Sequence, residues 1–275
     1  MPDEQLNEQP SKRFTGQVAI VTGSSADPSI GRACAVRLAR EGASVIINGR
    51  DSVALAATER DLRDKGLAVH AVAGSMEDES TPGALVDAAS ARFGRIDLLV
   101  NTIGGTRFQG SFESMGRADL LDTVALNTWP TLALIQAAML RGLADGGGAV
   151  VNISSGSPKK TTPSMVAYAA AKAALNALTR TVAADLGPRG VRVNAVSPGL
   201  TRTTATRPQW ERDGGAAAGA NIVLGRLTEA DDIAAATAFL LSADARQITG
   251  VVLDVDGGNH LASGGWTPIT PPRAP

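Results

Sequence analysis

The chain contains a single tyrosine, Tyr168, and a lysine stands four residues after it, Lys172. On a helix that spacing places both side chains on one face. A phenol near its reference pKa of about 10 carries protons poorly at neutral pH. A neighbouring ammonium favours phenolate and draws that value down, so the pair reads as a general acid–base device. Ser155 lies thirteen residues before the tyrosine, just after the apolar run Ala149-Val150-Val151-Asn152-Ile153. Its hydroxyl can donate to an oxygen on which negative charge develops. Alone, a Tyr-x-x-x-Lys match is more often a buried aromatic beside a solvated charge, and its weight comes from the segments around it.

The second set of chemistry-bearing residues is Thr22-Gly23-Ser24-Ser25-Ala26-Asp27-Pro28-Ser29-Ile30-Gly31. It follows an apolar run and opens a helical pattern. A small-residue turn between a strand and a helix start presents backbone N–H groups to an anion, as in a pyrophosphate site. Gly23 suits the tight turn and Gly31 suits close helix–strand packing. The Gly-x-Gly-x-x-Gly pattern is absent, so the turn is suggestive only in company. Asn101-Thr102-Ile103-Gly104-Gly105 and Ser197-Pro198-Gly199 close two further apolar runs, at the strand ends where open α/β sheets bind ligands.

The elements that position these residues follow from periodicity. Seven β-rich runs begin near Val18, Val45, Ala68, Ile96, Ala149, Val191 and Val251. They alternate with helical patterns over 29–41, 52–65, 78–93, 116–142, 164–187 and 229–242. Most runs are continuously apolar, as expected of strands covered on both faces. The alternation predicts an α/β fold, a doubly wound seven-stranded parallel sheet in one domain with helices on both faces. Residues 201–222 break the rhythm and form a candidate lid. Residues 1–14 read as a flexible tail, 15–260 as the domain, and 261–275 as a Pro-rich tail in which Trp266 is a candidate subunit contact.

Composition narrows the function classes. A hydrophobic fraction of 44% with 19% charged residues describes a globular chain rather than a disordered one. A net charge of -1 argues against a nucleic-acid or membrane-surface binder, and no apolar run is long enough for a membrane span. One cysteine, Cys34, and two histidines, His70 and His260, leave too few ligands for a zinc site. No metal is expected, and the lone cysteine suits a reducing cytoplasm.

Taken in order, Thr22-Gly23…Gly31, Asn101-Thr102-Ile103-Gly104, Asn127, Ser154-Ser155, Tyr168-x-x-x-Lys172, Pro198-Gly199 and Asp256-Gly257-Gly258 resemble the short-chain dehydrogenase/reductase family over about residues 14–260. The resemblance implies a Rossmann-type fold and a nicotinamide cofactor. It also implies hydride transfer between that cofactor and a ketone or secondary alcohol, a 3-oxoacyl thioester among them. In it Tyr168 is the general acid–base, Ser155 orients the carbonyl oxygen, Lys172 lowers the phenol pKa and bonds the ribose, and Asn127 completes a proton relay. It further implies cofactor contacts at Gly23, Ser25, Ser29, Ile30, Gly31, Ser75, Met76, Asn101, Ile103, Gly104, Pro198, Gly199, Leu200, Thr201 and Thr203, besides Tyr168 and Lys172. The resemblance also implies assembly as a homotetramer or homodimer through the helices at 116–142 and 164–187 and through the last strand.

Two departures from the family pattern carry information. The turn Gly23-x5-Ser29-Ile30-Gly31 is similar to that of the enoyl-carrier-protein reductase branch, whereas the three-residue Tyr–Lys spacing is that of the carbonyl-reductase branch. Position 175, where the former would place its lysine, is Leu. After the second strand the sequence reads Asn48-Gly49-Arg50-Asp51. A guanidinium at Arg50 can pair with a 2′-phosphate, which favours NADPH over NADH, while Asp51 is the alternative reader of a free ribose. Phe108, Met165, Leu200 and Trp210 are the expected apolar pocket wall, with Arg107, Arg202 and Arg207 candidates for steering an anion. An enoyl thioester reductase and a non-catalytic nicotinamide-binding regulator are the rival readings.

Overall fold

The computed structural model describes residues 12–143, 145–160 and 163–261. The apolar runs become β1 (Val18–Val21), β2 (Ser44–Gly49), β3 (Val69–Ala73), β4 (Leu98–Asn101), β5 (Ala149–Ile153) and β6 (Arg192–Pro198). A two-stranded ribbon follows, β7 (Thr201–Arg202) and β8 (Thr228–Glu229), and then β9 (Val252–Val255). Six of these and β9 form one seven-stranded sheet in the order β3-β2-β1-β4-β5-β6-β9, every pairing parallel.

Alternate strand residues face opposite sides, and each side has its own core. Val21, Ile47, Val100 and Val151 pack with Cys34 and Leu38 of α1 (Ile30–Arg40) and Ile233 of α8 (Ala230–Leu241). Their neighbours Ile20, Ile46, Leu99 and Val150 pack on the other side. There they meet Leu85 of α3 (Ser80–Phe93), Leu134 of α4 (Arg117–Met139) and Ala183 of α5 (Val166–Leu186). Two-sided burial is why the strands are continuously apolar. Strand order reverses between β1 and β4, so the loops after them diverge and open a crevice at their carboxyl ends.

The expected tail boundary moves. Phe14 is fully buried in the core, its N–H donates to the Glu41 carbonyl at 3.0 Å, and Arg13 pairs with the buried Glu41 carboxylate at 2.6 Å. The fold therefore includes Arg13 and Phe14, because an apolar ring and an ion pair hold that end against α1. Residues 1–11 and 262–275, Trp266 among them, lie outside the described residues. The segment 201–222 holds two short helices, α6 (Arg207–Trp210) and α7 (Ala216–Gly219). It is tied to the glycine turn by Thr204, whose N–H donates to the Pro28 carbonyl at 2.9 Å. Among the described residues, no helix is long and apolar enough to cross a membrane.

Candidate active site

The turn after β1 is shaped by close approach. Gly23 has φ +68° and a Cβ there would lie 2.3 Å from Thr102 Oγ1; a Cβ on Gly31 would lie 2.3 Å from the Gly23 carbonyl. Only glycine fits both contacts. Ser29 caps α1, its Oγ accepting the Arg32 N–H at 3.1 Å, and so orients the helix N-terminus toward the crevice. A cleft of about 860 Å³ runs from here across the sheet edge; its lining includes Gly23, Ser25, Ser29, Ile30, Gly31, Arg50, Ser75, Met76, Ile103, Gly104 and Thr203. Its volume is that of a small-molecule site.

The residues after β2 take distinct roles. Asp51 lines the cleft and also caps α2 (Ser52–Asp64), its Oδ1 accepting the N–H groups of Val53 and Ala54 at 3.0 Å each. Arg50 is exposed, lines the cleft, and has no hydrogen-bond or ion-pair partner among the described residues. Gly49 is forced by the longer turn, since a Cβ there would lie 1.7 Å from Ser25 Oγ. Buried polar atoms at this edge, Ser25 Oγ and Asn48 Oδ1, lack a protein partner. A glycine cradle, orphaned polar atoms and a free guanidinium together fit a phosphate-bearing dinucleotide.

A second cleft, of about 500 Å³, adjoins the first and shares Ile30, Gly104 and Thr203 with it; Ser155, Tyr168, Lys172, Pro198, Gly199, Leu200 and Thr201 line it. Tyr168 and Lys172 occupy the first two turns of α5. Lys172 is 2% exposed; its Nζ donates to the Ile153 carbonyl at 2.9 Å and sits 5.8 Å from the centroid of the Tyr168 ring. Burial brings the lysine pKa down to about 8. The phenol's burial acts against the lowering expected of the lysine. Burial pushes Tyr168 above its ordinary value, and Ser155, not Lys172, pulls against that rise. The ammonium is instead directed at a backbone carbonyl. Ser155 Oγ is 2.9 Å from Ser157 Oγ.

Not every expected residue lines these clefts. Asn101 is buried, its Nδ2 donating to Asn152 Oδ1 at 2.9 Å, and so cross-links β4 to β5. Asn127 is fully buried; its Oδ1 accepts the Gly105 N–H at 3.1 Å while its Nδ2 donates to the carbonyls of Gly105 and Thr123, both at 2.7 Å. Its amide clamps the loop after β4. Ser154 lines the second cleft beside Ser155, but its hydroxyl donates to Asn176 Oδ1. Met165 and Leu200 line the second cleft. Phe108 and Trp210 do not, and the Trp210 indole instead donates to the Thr203 carbonyl at 3.3 Å. Arg107 pairs with Glu77 and Arg202 with Glu229 at 3.2 Å. Lys160, Gln209, Asn259 and His260 also line this cleft; the first two fall in segments expected to wall it, 156–165 and 201–222, whereas sequence reasoning missed Asn259 and His260. The Asp256-Gly257-Gly258 motif, which leads into them, was the available signal.

Residues 23–260 match a family model described as enoyl-(acyl carrier protein) reductase. The chain is 38% identical over 249 residues to a D-threitol dehydrogenase of Mycolicibacterium smegmatis, covering 90% of this chain and 94% of the relative. It is 34% identical over 247 residues to the 3-oxoacyl-[acyl-carrier-protein] reductase FabG of Haemophilus influenzae, covering 90% and 99%. A solved 7α-hydroxysteroid dehydrogenase in complex with NADH and 7-oxo glycochenodeoxycholic acid superposes with a TM-score of 0.83 at 30% identity, covering 92% of this chain and 98% of that one.

Proposed function

The chain belongs to the short-chain dehydrogenase/reductase family, and from that premise we propose that it is an NADPH-dependent reductase of ketones, run in reverse as a secondary-alcohol dehydrogenase. The observation that carries this reading is the convergence of Ser155, Tyr168 and Lys172 on a cleft continuous with the glycine cradle. The residues around Gly23, Ser29 and Gly31 would hold the pyrophosphate, and Arg50 the 2′-phosphate. A reduced nicotinamide bound there supplies hydride.

The chain's own residues manage the proton. The Tyr168 phenol is protonated at neutral pH, and burial raises its pKa further; this is the form that donates to a developing alkoxide. Ser155 Oγ orients that oxygen. Lys172, anchored on the Ile153 carbonyl, places positive charge beside the ring once phenolate forms. Asn127 acts through position, holding Gly105 and with it the loop that roofs the lysine.

NADPH consumption with a 3-oxoacyl thioester and the matching enoyl thioester side by side, with NADH as control, tests the reading. Turnover of the oxo compound is expected. Turnover of the enoyl compound alone would overturn it in favour of the reading suggested by the Ser29-Ile30 turn and the matched model's description. Against that rival, position 175, where that branch would place its lysine, is a buried leucine. A cytoplasmic homodimer or homotetramer is the accompanying proposal. Leu121 and Trp129 of α4 and Val166 of α5 stay exposed, an apolar face for a second copy, and a solution mass near one chain would refute it.

A further inference from the structure

Beyond the reacting carbon, a substrate in the second cleft meets a wall built by two segments far apart in sequence. The chain after β9 turns back over the cleft. Asp256, 5% exposed, accepts the N–H groups of Gly258 and His260 at 2.9 Å each and faces His260 Nδ1 at 2.7 Å. One carboxylate thereby fixes the whole turn. Burial pushes that carboxylate up, but the His260 and backbone hydrogen bonds outweigh it and hold it below its ordinary pKa. Within this turn, Asn259 accepts from Lys160 Nζ at its Oδ1, 2.7 Å away, and at its carbonyl, 3.3 Å away.

Charge accounting singles out Lys160. Its neighbour Lys159 is paired with Asp254. Asp256 faces His260 Nδ1 and accepts two backbone N–H groups. Lys172 is directed at the Ile153 carbonyl. Lys160 has no carboxylate within ion-pair distance among the described residues, it lines the cleft, and an ammonium with two acceptors has one N–H to spare. It is held in place by an amide rather than neutralised by an acid.

We propose that Lys160 is the specificity-determining residue of this cleft and binds a carboxylate on the substrate, so that the enzyme acts on oxo- or hydroxycarboxylates; Asn259, His260 and Asp256 are the residues that position it. The proposal rests on the reading of the second cleft as the substrate site.

The test compares 3-oxobutanoate with its methyl ester, which share the reacting ketone, in wild type, Lys160→Met and Lys160→Arg, alongside calorimetric binding of butanoate to the NADP-loaded protein. Wild type is expected to prefer the acid in kcat/KM by roughly tenfold to a hundredfold, the worth of one charge-assisted contact. Lys160→Met abolishes that preference and butanoate binding, and Lys160→Arg retains part of both. A wild type that prefers the ester, or a Lys160→Met that keeps the acid preference, overturns the proposal. If neither compound is reduced yet butanoate binds in a Lys160-dependent way, the carboxylate site stands and the ketone-reductase reading falls. If butanoate does not bind either, the site falls too.

Discussion

Replacing Lys172 with Met should stabilise the fold at neutral pH relative to alkaline pH, by an amount that the burial of the amine sets. The side chain is 2% exposed and burial alone takes its pKa from 10.5 to about 8. Between those values the unfolded chain binds more protons than the folded one, so wild-type stability rises with pH across that window. Below pH 8 both states are protonated and the full penalty applies. At about 1.4 kcal/mol per pKa unit, a shift of two to three units costs about 3 kcal/mol. Methionine fills similar space without that charge but leaves the Ile153 carbonyl without its 2.9 Å donor, an offset of about 1–3 kcal/mol that does not vary with pH. The quantity to measure is therefore the difference in urea unfolding free energy between wild type and Lys172→Met at a series of pH values. From pH 7 to pH 10 wild type should gain about 2–3 kcal/mol on the variant. Taking the difference cancels groups remote from position 172, and running both proteins on a Tyr168→Phe background removes the neighbouring phenol. A difference constant across that range would refute the argument, because it would mean that the amine keeps its solution pKa in the fold.

Tyr168→Phe should lower kcat/KM by roughly 10²–10⁴-fold while cofactor fluorescence titration still shows NADPH binding; unchanged turnover excludes the phenol as proton donor. Arg50→Ala should weaken NADPH by about 1.5–3 kcal/mol and leave NADH nearly as it was, and equal losses for both would show that Arg50 does not read the 2′-phosphate. Gly49→Asp should destabilise by about 1–3 kcal/mol through overpacking, because its Cβ would meet Ser25 Oγ at 1.7 Å. Ser25→Gly in the same chain should recover most of that loss in thermal melts, and a Gly49→Asp protein that melts like wild type would sink the steric account.

Much of the frame was legible because strand and helix periods are local properties. The seven runs read as strands do pair in one parallel sheet, and the four-residue spacing of Tyr168 and Lys172 does put both in one cleft. Side-chain partners were less legible. Asn101 is directed into the sheet at Asn152, and of the two cleft residues Arg50 and Asp51 only the second has its side chain engaged, as a helix cap. Adjacent residues on a strand or at its end face different ways, and a one-residue difference decides which of them meets a ligand. The phenol's burial was illegible for a related reason, since spacing shows that a charge is near but not how much water both groups have lost.

The sequence by itself determined the layered α/β architecture, the turn that closes on Gly23 and Gly31, and the face shared by Tyr168 and Lys172. Each depends on residues within a few turns of one another. Tertiary structure decided which cation stays unpaired and where. Lys160 and Asn259, 99 residues apart, meet because β5 and β9 flank β6 in a single parallel sheet and discharge their loops at the same edge. No local pattern encodes that encounter, because it exists only once strand order and register have been set by the burial of both sheet faces.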